Sequence, residues 1–195
     1  MNKHVDLRDL TDTETRILNA AIDVILKFGP RKTTMNDIAE AAGLTRQTVY
    51  ASFGGKDAVL AAVVRFIGRR HVTQVSVAWE YCPTLTEKLQ AFARIVVLDS
   101  HDDLSGDDPQ DLVGDYNDAG RAANDEIREK YAELWAAELT PSAETLQRAG
   151  ATAARLARFI VATSLNLKRT EPDKGRLHEQ LSVLNAAVLA MTGRR

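Results

Sequence analysis

Four polar side chains follow one another at Thr45, Arg46, Gln47 and Thr48. A guanidinium such as that of Arg46 can donate two hydrogen bonds to O6 and N7 of guanine, and the carboxamide of Gln47 can pair with N6 and N7 of adenine. Both side chains could instead contact only phosphate oxygens, which carry no base information. These residue types indicate a surface that contacts duplex DNA, with base reading and backbone contact as the two alternatives.

Residues that could perform catalysis or hold a metal ion form no recognised pattern. The sequence contains no Gly-rich phosphate loop, no HExxH and no GxSxG. Its histidines are scattered at positions 4, 71, 101 and 178, and its one cysteine, Cys82, has no partner for a disulfide or a zinc site. We therefore expect no enzymatic activity, no metal and no cofactor.

The polar run needs a rigid support, and the residues around it predict one. Thr34 is the predicted N-cap of a short helix over residues 35–42, and Gly43 supplies the positive φ that a tight turn requires. Thr45 then caps a second short helix over residues 46–52. A short helix, a glycine turn and a short helix are the pattern of a helix-turn-helix motif. The residues predicted to fill the contact between the two helices are Ile38, Ala39, Leu44 and Val49.

The rest of the chain has helical spacing and no strand pattern. A capping box at Thr11 and Glu14 begins a first helix, which Gly29-Pro30 is predicted to end. A long helix is predicted from Lys56 to about residue 81, and a second capping box, at Thr84 and Glu87, begins the next one, over residues 85–98. The acid-rich stretch 99–111 is predicted to be a loop. The fold class is therefore all-α. The predicted inward stripe of the first helix is Ile17, Ala20, Ala21, Val24, Ile25 and Phe28.

The charge of the chain is divided unevenly. The net formal charge is −2, but residues 1–70 carry +3 and residues 71–195 carry −5. Residues 27–56 hold five basic and two acidic side chains. A basic N-terminal third on an acidic remainder fits a DNA-binding head on a body with another role.

The run from Phe28 to Leu60 resembles the signature of the TetR family of transcriptional regulators. That signature has Phe-Gly, Thr-Thr, Ile-Ala-x-x-Ala-Gly, Thr-x-Tyr-x-x-Phe and a Lys-acid pair. The matching residues here are Phe28-Gly29, Thr33-Thr34, Ile38-Ala39, Ala42-Gly43, Thr48-Val49-Tyr50, Phe53 and Lys56-Asp57.

The resemblance implies a helix-turn-helix DNA-binding domain over residues 1–55 and a helical effector-binding and dimerisation domain over residues 56–195. It implies a repressor that binds a palindromic operator in double-stranded DNA. Thr34, Tyr50 and Lys56 are expected to hold phosphates, because helix N-termini and cationic or hydroxyl side chains suit an anion. The predicted DNA-binding residues are Thr34, Thr45, Arg46, Gln47, Thr48, Tyr50 and Lys56.

Two apolar faces near the C-terminus predict a homodimer. The stripe over residues 177–191 repeats at spacings of four and three, as an interhelical seam does, and a second face lies within residues 153–165. Together they could form a four-helix bundle across a two-fold axis. The alternative is that both faces are buried within one subunit. The predicted interface residues are Leu156, Ile160, Leu177, Leu181, Leu184, Val188 and Met191.

The family resemblance also implies a small effector, which we expect to be largely apolar and bound in the body of the protein. A mostly apolar pocket needs a few polar groups to orient its ligand. For each candidate residue, the alternative to ligand contact is ordinary packing in the core. The same two interpretations apply to Phe159, which helical spacing places on an inward face. The predicted ligand contacts are His71, Trp79, Phe92, Tyr116, Asn117 and Trp135.

No membrane role is expected from the sequence. No apolar run approaches the length of about 18 residues that crosses a bilayer. The first twelve residues lack the apolar stretch of a secretory signal. We therefore expect a cytoplasmic protein.

Overall fold

The structure is a computed structural model that describes residues 10–99, 113 and 116–194, and every regular element in these ranges is helical. The predicted all-α class is confirmed. The chain divides into two compact units, residues 1–69 with 107–126 and residues 70–106 with 127–195. The predicted helix-turn-helix segment, residues 1–55, falls within the first unit, which extends beyond it. Most of the predicted loop over residues 99–111 lies outside the described residues.

The first unit contains α1 (Asp12–Lys32), α2 (Met35–Ala41), α3 (Arg46–Phe53) and the start of α4 (Lys56–Glu80). The predicted capping box of α1 is present, since the Thr11 hydroxyl accepts from the backbone N–H of Glu14 at 3.2 Å. The helical backbone of α1 is interrupted at Gly29, whose φ is +75°. This confirms the predicted stop, after which residues 30–32 form a short helical turn.

The core of the first unit joins the inner faces of all four helices. Ile17 and Ile25 of α1 are buried there, but the predicted inward position of Phe28 is wrong: its side chain is 46% exposed. Phe28 comes just before the break at Gly29, and the ammonium of Lys27 lies 5.0 Å from its ring. The other core residues include Leu18, Ala21, Met35, Ile38, Ala39, Val49, Phe53, Val59, Leu60, Val63 and Ile67.

A second chain segment completes the first unit. Arg65 on α4 forms a two-pronged ion pair with Glu126, with both N···O distances at 2.7 Å. The hydrogen bond and the charge of Glu126 raise the pKa of the Arg65 guanidinium. Asn117 donates to the carboxylate of Asp57 at 2.7 Å. The segment around residues 116–126 is therefore attached to α4 by polar contacts that are distant in sequence.

The second unit is built from the remaining helices. Its α5 (Leu85–Phe92) begins with the predicted capping box at Thr84 and continues as a wider π-helical turn, Ala93–Leu98. The hydrogen bonds from Thr84 lower the pKa of the Glu87 carboxyl group. The further helices are α6 (Asp118–Leu139), whose first residues belong to the first unit, a 3-10 turn (Thr140–Ser142), α7 (Ala143–Arg148), α8 (Ala153–Thr170) and α9 (Lys174–Thr192).

The apolar faces predicted to form a dimer seam are instead buried inside the second unit. Leu184 is 6% exposed and belongs to the same core cluster as Trp79, Phe92 and Trp135. A side chain that its own chain already covers offers no surface to a second copy. The predicted seam is therefore wrong, and the alternative of burial within one subunit holds. The predicted role in a dimer interface is corrected to a role in the core for Leu156, Ile160, Leu177, Leu181, Leu184 and Val188. Met191 is partly buried against the same core.

The outward faces of α8 and α9 carry different residues. Phe159 is 55% exposed and Val183 is 70% exposed. The expected inward position of Phe159 is thus also wrong, because the turn of α8 directs it away from the buried face that contains Ala157, Ile160 and Val161.

Within the described ranges, no helix combines the length and hydropathy that a membrane crossing requires. In those same ranges, no group of three or more His, Cys, Asp or Glu side chains is arranged to hold a metal ion.

Candidate nucleic-acid interface

The turn between α2 and α3 is tight and glycine-dependent. Gly43 has a φ of +59°, as the sequence predicted, and its N–H donates to the carbonyl of Glu40 at 3.0 Å. The N–H of Leu44 donates to the carbonyl of Ala39 at 2.9 Å. These bonds end α2 and redirect the chain into α3. The predicted contact between the two helices is present, with Ile38, Ala39 and Val49 buried and Leu44 packed against the same cluster.

Two of the four polar residues at the start of α3 are used in its own cap. The Thr45 hydroxyl accepts from the backbone N–H of Thr48 at 3.2 Å, and the two threonine hydroxyls lie 2.9 Å apart. A capping hydroxyl that has both partners within the helix is committed to local structure. Contact of Thr45 and Thr48 with DNA stays a prediction.

Arg46 and Gln47 are exposed, like Thr45, but their side chains take no part in the cap. Arg46 donates to the Tyr50 hydroxyl at 3.3 Å, and its guanidinium carbon lies 5.3 Å from the centre of the Tyr50 ring. Tyr50 is partly exposed and so holds the guanidinium against α3. The side chain of Gln47 points away from the core of the unit and has polar groups available on both sides of its amide.

Thr34 is a helix cap with its polar groups satisfied by Asp37. The carboxylate of Asp37 accepts from the Thr34 backbone N–H at 2.9 Å and from its hydroxyl at 2.7 Å. A phosphate at this helix end would approach a carboxylate, which repels it. The predicted phosphate contact of Thr34 is therefore not supported by its geometry, because both of its donors are already used.

Lys56 joins three segments of the first unit. Its ammonium donates to the carbonyl of Arg31 at 3.0 Å and lies 5.4 Å from the centre of the Tyr116 ring. An ammonium has three donors and only one is used by the Arg31 carbonyl, so the phosphate contact of Lys56 stays a prediction. The structure adds a second role, which is to tie the end of α1 to the start of α4.

The residues predicted to bind an effector fall into two groups. Tyr116 and Asn117 belong to the first unit, where Tyr116 contacts Lys56. Asn117 uses both ends of its amide, donating to Asp57 and accepting from the Gly120 N–H at 2.7 Å, as an N-cap of α6 does. Their contacts therefore account for them as structural residues and do not support the predicted ligand role.

The other group lies in the second unit and forms an aromatic cluster. The ring centres of Trp79 and Trp135 are 4.5 Å apart, and Phe92 lies 5.4 Å from Trp135, all in edge-to-face contact. Tyr131, which sequence analysis did not select, extends the cluster at 5.5 Å from Phe92. His71 belongs to the same unit and is half-buried. The cluster gathers three of the six predicted ligand residues.

Arg16 is a residue near the turn to which sequence analysis assigned no role. Its guanidinium Nη2 donates to the carbonyl of Gly43 at 3.1 Å. The two residues are 27 positions apart, so no local pattern in the sequence signals the contact.

Comparison with known proteins finds a family model that matches the segment of the helix-turn-helix. Residues 17–63 match the family model of bacterial regulatory proteins of the tetR family. Two regulators from Pseudomonas putida, the HTH-type transcriptional regulator SrpR and the uncharacterized HTH-type transcriptional regulator TtgW, are each 43% identical over 53 residues, or 27% of this chain. The matched part of this chain covers only 25% of SrpR and 40% of TtgW.

The fold comparison extends over nearly the whole chain. A solved structure of the fatty acid degradation regulator FadR from Bacillus halodurans superposes with a TM-score of 0.71, covering 93% of this chain and 99% of that one. Its sequence identity is 20%, so it shows the fold alone. Residues 17–63, which match the family model, include α2, the glycine turn, α3 and the start of α4. These are the elements that hold the polar run at residues 45–48. Over residues 17–63, which include the helix-turn-helix, this chain is therefore similar to bacterial regulatory proteins of the tetR family.

Proposed function

We propose that this protein is a DNA-binding transcriptional regulator that inserts α3 into the major groove and represses transcription at a palindromic operator. The observation that carries the proposal is the exposure of Arg46 and Gln47 at the start of a helix held by a buried scaffold. In helix-turn-helix proteins the N-terminal residues of the second helix contact base edges. The proposal includes no catalytic step.

The two exposed residues are proposed to differ in role. Gln47 reads a base directly, because its amide can offer a donor and an acceptor to adenine. Arg46 is restrained by Tyr50, which presents its planar guanidinium in one orientation and favours the paired contact with guanine.

The test is selection of a binding duplex from a random DNA library, with the wild-type protein and with Gln47→Ala. We expect the wild-type protein to enrich a two-fold symmetric site, and Gln47→Ala to lose its preference at one base pair per half-site. The affinity for the wild-type site should fall by roughly 1–3 kcal/mol for each half-site affected.

Lys32→Ala provides the control for that experiment, since Lys32 is an exposed cation of the same unit outside α3. It should weaken binding to all duplexes alike and leave the consensus unchanged. An unchanged consensus in Gln47→Ala would show that this residue does not read a base.

We further propose that the protein acts as a homodimer. A single helix-turn-helix makes few base contacts, so two copies on two half-sites are the usual arrangement. The outward faces of α8 and α9, which expose Phe159 and Val183, are the proposed contact surface in place of the buried seam. Large apolar side chains exposed at these positions would gain stability by burial against a second copy.

A small effector is the last part of the proposed function. Support comes from Trp135, which is fully buried and whose indole N–H has no acceptor among the described residues. The neighbouring Trp79, by contrast, donates to the carbonyl of Lys88 at 3.0 Å. A buried donor without a partner costs about 1–3 kcal/mol, which an effector with one acceptor oxygen would recover. The proposed effector is therefore a flat, mostly apolar molecule with a carbonyl-like group.

A further inference from the structure

One hydrogen bond links α1 directly to the turn of the helix-turn-helix. The Arg16 Nη2 atom donates to the carbonyl oxygen of Gly43 at 3.1 Å. The side chain is otherwise exposed, so this contact does not result from core packing. It joins the helix that supports the motif to the residue at which the motif bends.

The electrostatics of the turn favour a cation at this position. Gly43 follows the last residues of α2, where the backbone carbonyls of a helix carry a partial negative charge. A hydrogen bond from a charged guanidinium to such a carbonyl is stronger than one between neutral groups. Arg16 therefore stabilises the end of α2 and the bend that follows it.

The two residues also fit each other sterically. A Cβ atom at Gly43 would lie 2.7 Å from Arg16 Nη2, closer than a real contact allows. The positive φ of +59° is what favours glycine at position 43, and the guanidinium occupies the space that a Cβ atom would take. Arg16 lines an open groove of about 420 Å³ between α1 and the end of α2, with Ala41 and Ala42 on the opposite wall. Small residues on that wall leave the path of the side chain open.

We propose that Arg16 is a positioning residue for base recognition: its bond to Gly43 sets the angle between α2 and α3, and so the register of Gln47 against a base pair. The inference rests on the proposed DNA-binding function. Contacts to bases need side chains held within about 0.5 Å, whereas contacts to phosphates carry no sequence information. A looser turn therefore reduces discrimination between sequences more than it reduces overall affinity.

The experiment compares Arg16→Met with the wild-type protein. Methionine keeps an unbranched side chain in the groove but lacks the guanidinium N–H groups that donate to the Gly43 carbonyl. The affinity of each protein is measured for the duplex enriched by selection and for a scrambled duplex of the same composition, at one salt concentration. The ratio of the two affinities is the readout, because loss of one positive charge affects both duplexes alike.

Arg31→Met is the matched control, since Arg31 is an exposed arginine of the same unit whose side chain lies outside the turn. We expect Arg16→Met to lower the ratio by about tenfold, within the range of one lost base contact. Arg31→Met should leave the ratio within about twofold of wild type. Arg16→Lys, which keeps a charged donor, should recover part of the ratio. Thermal unfolding of each variant, followed by circular dichroism, is the check that the substitution leaves the protein folded.

Two results would overturn the inference. One is that the ratio of the affinities for the selected and scrambled duplexes is the same in Arg16→Met as in Arg31→Met. The other is an equal loss of affinity for both duplexes, which would assign Arg16 a charge role only. If the wild-type protein enriches no duplex, the proposed function fails and this inference falls with it. If the wild-type protein enriches a duplex and Arg16→Met keeps the ratio, only this inference fails.

Discussion

Trp79 and Trp135 show at the scale of single residues how two identical side chains in one cluster can have different energetics. Their rings contact each other edge to face, and both side chains are buried. Trp79 donates to the Lys88 carbonyl and lies under the Lys88 ammonium at 5.7 Å, whereas Trp135 has no acceptor among the described residues. The indole of Trp79 therefore contributes a hydrogen bond to the fold, and the indole N–H of Trp135 finds no acceptor in the part of the chain that the structure describes.

Trp79→Phe and Trp135→Phe form a matched pair that tests this difference. Both substitutions remove the same volume from the core and keep an aromatic ring. Trp79→Phe also breaks a hydrogen bond, while Trp135→Phe removes an unsatisfied donor, so Trp79→Phe should cost at least about 1 kcal/mol more in the free energy of unfolding. Urea unfolding followed by circular dichroism measures both values. Equal costs, or a larger cost for Trp135→Phe, would mean that the Trp135 N–H has a partner in solution.

At the scale of secondary-structure elements, α8 and α9 each have two faces in different environments. Each has a face buried in the second unit and an opposite face that exposes apolar side chains. On α9 the contrast falls on adjacent residues, since Leu184 is 6% exposed and Val183 is 70% exposed. Successive residues of a helix differ by about 100° in direction, so neighbours can meet different partners.

Val183→Glu and Leu184→Glu should therefore have different effects. A glutamate at 183 would face its copy across the proposed dimer contact, and the variant should be a folded monomer of 21.4 kDa in sedimentation velocity. A glutamate at 184 would bury a charge in the core and should lower the stability of the subunit by several kcal/mol. Thermal unfolding separates the two outcomes. A Val183→Glu protein that sediments as a dimer would place the interface on another surface.

At the scale of the whole molecule, two helices contribute residues to both compact units. α4 runs over Lys56–Glu80 and α6 over Asp118–Leu139, while the units divide after residues 69 and 126. α6 carries Glu126, which pairs with Arg65 in the first unit, and also Trp135 of the aromatic cluster in the second. If the proposed effector binds at the cluster, we expect it to act on the first unit through the continuous backbone of these helices.

The expected consequence is reciprocal coupling between an effector and DNA. Acetophenone is a first probe, and α-methylstyrene, which replaces its carbonyl oxygen with CH₂, is the matched control. One hydrogen bond to Trp135 should make acetophenone bind roughly threefold to tenfold more tightly, and Trp135→Phe should remove that preference. Tryptophan fluorescence measures each affinity, with Trp79 as the reporter in the variant.

The selected duplex should weaken acetophenone binding by the same factor by which acetophenone weakens DNA binding. Acetophenone affinity that is identical with and without the duplex would exclude regulation through this cluster. Equal binding of the two probes to the wild-type protein would exclude Trp135 as the donor, without affecting the proposed DNA-binding function.

Local signals in the sequence were sufficient for the elements that present the candidate DNA-binding surface. The caps at Thr11, Thr34, Thr45 and Thr84 are all present, because a cap requires only a hydroxyl and an N–H three residues later. The turn at Gly43 also follows from a single residue, whose conformation other side chains penalise. The all-α class and the exposure of Arg46 and Gln47 then follow from helical periodicity.

Tertiary structure alone decided which partner each helix face meets. A narrow apolar stripe with spacings of three and four is the same pattern whether the neighbouring helix belongs to the same chain or to a second copy, so periodicity could not show that Leu184 lies in the core of one subunit. The contacts of Arg16 with Gly43, Lys56 with Arg31 and Asn117 with Asp57 join residues 25 to 60 positions apart. They depend on how helices are placed in space, which no local pattern of residue types encodes.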